Sequence, residues 1–246
     1  MIDAVEISSA SAPAKERLQP QAQGLFVTGT DTEVGKTEVT LGLMAALQRR
    51  GLSVLGMKPV AAGSVLTADG LRNEDALRIQ AQGSKPLAYS AINPYAFAPP
   101  IAPHIAAAHA GVEIQLEPIK TAYARLAAQA DWVLVEGAGG WRVPLGPCLT
   151  LADLPSALDL PVVLVVGLRL GCLNHALLSA ESIQASGLQL AGWVANRIDP
   201  AMAAAEENLA TLRERLPAPC FGVIPWLSGP TPAQVADFFS DCGADN

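Results

Sequence analysis

One stretch constrains this chain more than any other: Gly29-Thr30-Asp31-Thr32-Glu33-Val34-Gly35-Lys36-Thr37. It follows the apolar run Leu25-Phe26-Val27 and leads into Val39, Leu41, Leu43, Met44 and Leu47, so a strand gives way to a loop and then to a helix. Backbone N–H groups of such a loop surround phosphate oxygens, and the helix N-terminus adds a favourable partial charge. Lys36 is placed to reach the β- and γ-phosphates, and the Thr37 hydroxyl to ligate Mg²⁺. Five residues separate Gly29 from Gly35, one more than the usual Walker A spacing of about four.

The remaining periodicity extends this start into a P-loop NTPase-like α/β fold: one mostly parallel sheet, helices on both faces, a single domain. Ser53 to Val60 reads as a second strand that places Lys58 near the carboxyl edge, where open parallel sheets bind ligands. Residues 61–72 read as loop, and Asn73 as the cap of a helix through Gln82 whose first turn holds Glu74 and Asp75. Residues 84–103 carry five prolines and read as an irregular excursion long enough to serve as a functional surface. A helix is expected over Glu117 to Gln129. Trp132 to Glu136 is a buried-strand pattern that delivers a carboxylate to the same edge, followed at once by Gly137-Ala138-Gly139-Gly140. An acid there suits the Mg²⁺ of a nucleotide, and the glycines suit close approach of backbone to phosphate.

Beyond it, Val162 to Gly167, Leu190 to Ala195 and Cys220 to Ile224 read as strands. Helices are expected from Gly171 to about Ser186, from about Ala201 to Leu216 and from about Pro232 to Phe239. A domain over residues 24–246 is expected to follow a flexible, polar tail over 1–23, which has neither the apolar core of a secretory signal nor the composition of a transit peptide. His104 and His109 have no carboxylate or Cys at ligand spacing.

Composition narrows the partners. A formal net charge of −7 without a Lys/Arg cluster argues against nucleic acid or an anionic membrane. The longest apolar run, Val162 to Leu168, is far below the ~18–20 residues that span a bilayer. Four widely spaced cysteines without a C-x-x-C pair suit a reducing cytoplasm.

In collinear order from about Gly24 to Leu227, the chain resembles the dethiobiotin synthetase family. The resemblance is carried by GTDTEVGKT at 29–37, KPVAAG at 58–63, GLRNEDAL at 70–77, NPYAF at 93–97 and DWVLVEGAGGW at 131–141. LGCLNHALL at 170–178, AGWVAN at 191–196 and IPWL at 224–227 complete it. The longer phosphate loop is itself a feature of that family. The resemblance implies an ATP-dependent carboxylation of 7,8-diaminononanoate with CO₂ that closes the ureido ring of dethiobiotin and releases ADP and phosphate. It implies Mg²⁺ as cofactor, held by Thr37, Asp75 and Glu136, with Lys36 and Lys58 as catalytic charges. Glu33, Val34, Gly35, Lys36, Thr37, Glu38, Asp75, Glu136, Gly137, Ala138 and Gly139 are implied as the phosphate end of the ATP site. Asn196, Arg197, Pro225, Trp226 and Leu227 are implied to border the base. Ala62 is implied to face the diamine, standing where the family commonly has Ser. Gly171, Cys172, Leu173 and Asn174 are implied to receive its carboxylate across a homodimer with a composite site.

A rival reading is a P-loop nucleotide switch acting through protein partners. A partitioning-type ATPase would carry a further lysine early in the loop, where this chain has Thr30-Asp31-Thr32. A GTPase would carry N-K-x-D, where this chain has Asn196-Arg197-Ile198-Asp199.

Overall fold

The apolar runs pair with one another in parallel. A computed structural model describes residues 22–239; most of the expected N-terminal tail, and Cys242, lie outside the described residues. In chain order the elements are β1 (Gln23–Gly29), α1 (Lys36–Arg49), β2 (Val54–Met57), β3 (Val60–Ala61), β4 (Val65–Thr67), β5 (Gly70–Arg72), α2 (Glu74–Gln82), α3 (Tyr89–Ile92), β6 (Tyr95–Ala96) and α4 (Pro103–His109). They continue with α5 (Leu116–Ala127), β7 (Trp132–Gly140), α6 (Asp153–Leu158), β8 (Val162–Leu168), α7 (Cys172–Ala185), β9 (Leu190–Arg197), α8 (Ala205–Arg215), β10 (Cys220–Ile224) and α9 (Pro232–Ala236).

Six strands form the main sheet in the order β10-β9-β8-β1-β7-β2, each neighbouring pair parallel. From β1 the chain crosses past β7 to β2, whereas β8, β9 and β10 build outward on the other side. With right-handed crossovers, opposite directions of travel put the connecting helices on opposite faces. The core follows from this layering: β8 is buried at every position, and Phe26, Leu134, Val163, Leu164, Val165 and Trp193 are fully enclosed. Both faces of the central strands are covered, which is why they read as unbroken apolar runs.

Register places the chemistry. Val27 pairs with Glu136, and Met57 pairs with Val135, so the end of β1, Glu136 and the residue after Met57 meet at one carboxyl edge. The expected strand through Val60 stops at Met57. Pro59 has no N–H to give a ladder, and the Lys58 N–H donates to Ile92 O at 2.9 Å instead. Residues 61–72, expected as loop, contain the exposed β4–β5 hairpin, with Ala68-Asp69 at its turn. Gly137 to Gly140 belong to β7 rather than to a loop after it. Short elements inside the Pro-rich excursion, and α6, carry too few residues to show a period. The helix expected from Ala201 begins at Ala205, after Ala204 in a left-handed conformation (φ 53°).

Candidate active site

The phosphate loop closes onto the helix behind it. Gly35 sits at φ 84°, ψ 31° as the N-cap of α1, a conformation open to glycine at little cost. Space forbids a side chain there as well: a Cβ would stand 2.1 Å from Asn196 Nδ2. The Asn196 amide, at the end of β9, donates to Val34 O at 3.0 Å. Glu33 also has positive φ, 59°. The Lys36 ammonium donates back to Asp31 O at 2.8 Å, and the Asp31 carboxylate takes a 2.5 Å ion pair from Arg169.

Four charged or hydroxyl groups converge beside the loop. The Thr37 hydroxyl donates to Glu136 Oε1 at 2.9 Å. The Lys58 ammonium bridges two carboxylates, 2.5 Å from the same Glu136 oxygen and 2.9 Å from Asp75 Oδ2. Lys58 and Glu136 are buried, where the pair's mutual attraction must offset the loss of hydration. Burial acts to lower the Lys58 pKa, but the Glu136 and Asp75 charges and hydrogen bonds outweigh it and hold it above the usual lysine value. For Asp75, burial acts upward, and the charge and hydrogen bond of Lys58 hold it below the usual carboxylate range. Lys36 goes the other way. Burial is its largest influence, and despite Glu136 its pKa falls to about 8.

These groups line one cavity of about 780 Å³. Of the residues predicted from sequence, Glu33, Gly35, Lys36, Thr37, Glu38, Lys58, Ala62, Asp75, Glu136, Ala138 and Gly139 all face it. Val34 instead packs in the core beneath the loop, and a Cβ on Gly137 would meet Leu151 Cδ2 at 2.8 Å and Phe26, so its bareness serves packing. Asn196 reaches the loop from behind. The Arg197 guanidinium is paired with Glu206 at the head of α8. Pro225, Trp226 and Leu227 follow β10, with Trp226 half exposed. Gly171 to Asn174 start α7, away from this cavity within the chain.

Sequence reasoning missed Arg78, which lines the cavity and donates to both Glu38 carboxylate oxygens, at 2.7 and 2.9 Å. Its signal was available, since Arg78 lies one helical turn after Asp75 and on the same face of α2. Thr32 and Asn73 were missed as cavity residues, whereas residues 100–103, the end of the excursion expected as a functional surface, do line the cavity.

The donor set fits Mg²⁺. Glu136 Oε2 is buried without a hydrogen-bond partner, Asp75 is partly exposed to the cavity, and Thr37 supplies a hydroxyl, all hard oxygens of the kind that ion takes. The Lys58 ammonium between the two carboxylates marks a position that favours positive charge. No cluster of three or more His, Cys, Asp or Glu able to hold a metal occurs among the described residues. One or two carboxylates plus substrate phosphates is the usual arrangement for nucleotide-bound Mg²⁺.

Comparison with known proteins places the chain in a family. Residues 23–234 match a family model described as an AAA domain. The chain is 61% identical to the ATP-dependent dethiobiotin synthetase BioD of Pseudomonas aeruginosa, over 86% of this chain and 93% of that protein. It is 55% identical to the protein of the same name from Xanthomonas oryzae (85% and 92%) and 56% identical to that from Aromatoleum aromaticum (86% and 94%). Among solved structures, the MinC:MinD cell division complex of Aquifex aeolicus superposes with a TM-score of 0.54 at 17% identity, covering 87% of this chain and 86% of that one. That likeness is one of fold. At such identity to proteins so named, over nearly their whole length, the chain belongs to the ATP-dependent dethiobiotin synthetase family.

Proposed function

We propose that the chain carboxylates 7,8-diaminononanoate with CO₂ and closes the ureido ring of dethiobiotin at the expense of ATP, in biotin biosynthesis. One amine adds to CO₂ and loses a proton to give a carbamate. A carbamate oxygen attacks the γ-phosphorus, the bond to ADP breaks, and a carbamic-phosphoric anhydride forms. The second amine then attacks the carbonyl carbon and loses a proton, the carbon–oxygen bond breaks with phosphate leaving, and the ring closes.

The difficulty is electrostatic, because two anions, carbamate and triphosphate, must meet. Preorganised positive charge is the largest single remedy available to a protein. Lys58, whose pKa is raised, keeps its proton and offers it to the developing charge, while Lys36 holds the γ-phosphate from the loop. Backbone N–H groups of Glu33 to Thr37 and of Glu136 to Gly139 surround the phosphates, with Glu38 held beside them by Arg78. Thr37, Asp75 and Glu136 would hold Mg²⁺, which would supply charge neutralisation for the triphosphate. Asn196, Arg197 and Pro225 to Leu227 border the base. Ala62 lies against the diamine.

The substrate carboxylate belongs at the α7 N-terminus, Gly171 to Asn174, of a second subunit, since such a terminus favours an anion. Leu170, just before that terminus, is 98% exposed, and Leu178, midway along α7, is 56% exposed. Uncovered leucines before and along α7 support a homodimer there. No described helix is long and apolar enough to cross a membrane. Free Cys148, Cys172 and Cys220 support the cytoplasm as its compartment.

The observation that carries the reading is the bridge from Lys58 to Asp75 and Glu136 beside the Thr37 hydroxyl. The test is purified protein with ATP, Mg²⁺, bicarbonate and the diamine. One phosphate per dethiobiotin is expected; ATP turnover indifferent to the diamine, with no ring product, overturns it.

A further inference from the structure

The first part of the Pro-rich excursion, residues 84–97, lines none of the cavity, yet it is wired to two of its charges. The Asn73 N–H donates to the Tyr89 hydroxyl oxygen at 2.8 Å, and that hydroxyl donates to Asn93 Oδ1 at 2.8 Å. Asn93, 3% exposed, donates its amide protons to Lys58 O at 2.6 Å and Tyr95 O at 3.1 Å. The Lys58 N–H donates to Ile92 O at 2.9 Å. A continuous path of hydrogen bonds therefore runs from the cap of α2, two residues before Asp75, to the backbone of Lys58.

Helix α2 also packs on β2 through Ile79 against Gly56, and the Asn73 amide donates to Ala62 O at 3.3 Å, but among these ties the Tyr89–Asn93 path ends on the backbone of Lys58 itself. Lys58 lies past the last pair of β2 with β7, Met57 with Val135. Asp75 lies on a separate helix, and the covalent route between them runs through the exposed β4–β5 hairpin. At the middle of the path the group must accept one hydrogen bond and donate another, which a phenol does and a phenyl ring does not. Burial pushes the Tyr89 pKa up, against the Asn73 bond and the nearby positive charges, so the donating proton is retained. The Arg72 guanidinium, 4.4 Å above the ring centroid, holds the ring in place.

We propose that Tyr89 and Asn93 are positioning residues that set the reach between the Lys58 ammonium and the Asp75 carboxylate. This rests on the catalytic reading of Lys58 and Asp75 given above. Misplacement of a reacting group by about 1 Å can cost about 10²-fold in rate. The path does not touch the phosphate loop, whose N–H groups and Lys36 still hold the nucleotide, so the loss should fall more on kcat than on KM for ATP.

The experiment compares Tyr89→Phe, Asn93→Ser, Lys58→Ala and Ile79→Val, the last a core trim on α2 that serves as a stability control. All are assayed at a temperature where each is folded by circular dichroism. The expected result is a kcat reduced about 10- to 100-fold in Tyr89→Phe and Asn93→Ser, with KM for ATP changed by a smaller factor than kcat, and Ile79→Val unaffected in kcat. If either positioning variant does not fold, the other decides. Turnover within about twofold in the positioning variants, beside an inactive Lys58→Ala, overturns the proposal alone. So does a kcat loss matched by Ile79→Val at equal loss of melting temperature. Full turnover in Lys58→Ala overturns the catalytic reading beneath it.

Discussion

The Lys58 ammonium lies 2.5 Å from Glu136 Oε1, and both side chains are buried at the carboxyl edge of the sheet. Neither residue is buried for the sake of stability alone, because a buried pair recovers little beyond its lost hydration. Its value is a fixed charge whose position the sheet register dictates.

Removing one partner leaves the other uncompensated. Lys58→Met is expected to abolish turnover and to lower unfolding stability by about 3–5 kcal/mol, the usual cost of breaking such a pair. Lys58→Met with Glu136→Gln should recover part of the stability and none of the turnover. Denaturant melts of the two variants check this, and equal losses in both would contradict it.

Lys36 has a pKa lowered to about 8, chiefly by burial. Its charge is therefore present below pH about 8 in the free protein and lost above it. kcat/KM for ATP should fall as pH rises through that value, while saturating nucleotide, which favours the charged form, should move the fall upward. Stability runs the opposite way. Between about 8 and the unfolded value of 10.5 the unfolded chain binds more protons at this site, so this group's contribution to stability rises with pH. A kcat/KM profile flat from pH 7 to about 9 would remove the shifted lysine from ATP binding.

How much of this is legible in the sequence depends on chain distance. The phosphate loop, Asn73 as helix cap and the acid in β7 are local patterns, and Asn73 does accept from the Ala76 N–H as predicted. The Arg78–Glu38 clasp joins residues 40 positions apart on two helices, and no local period reports such a pairing. Strand β2 ends early because the Lys58 N–H finds a partner in Ile92, a residue from an excursion whose path the sequence does not specify. Gly137 reads as a phosphate contact in the sequence, and a Cβ there would also meet Phe26 and Leu151, a packing demand that a glycine beside an acid does not announce.

The Thr37 hydroxyl donates to the oxygen that also receives Lys58. Thr37→Ser keeps that donor and should retain turnover within a few-fold, by about one kcal/mol or less. Thr37→Val, isosteric without the hydroxyl, should lose at least about tenfold in kcat, the scale for an oriented polar group at the reacting charge. Steady-state kinetics of the two variants decide it; equal activity would separate the hydroxyl from the chemistry.

Ala62 faces the cavity with a methyl group where a hydroxyl would fit the family pattern. Ala62→Ser should lower KM for the diamine about fivefold, the equivalent of one net hydrogen bond of about 1 kcal/mol, with KM for ATP unchanged. An unchanged KM for the diamine would place Ala62 away from that substrate.

The central claim is that a carbamate oxygen, held among Lys36, Lys58 and the loop, attacks the γ-phosphate. CO₂ labelled with heavy oxygen, supplied with ATP and the diamine and read by mass spectrometry before exchange with water, tests it most directly. The account predicts one heavy oxygen transferred to inorganic phosphate for each dethiobiotin formed, because the attacking oxygen leaves with phosphorus when the ring closes. Phosphate whose one added oxygen comes from water, alongside labelled CO₂ and ring product, would contradict it.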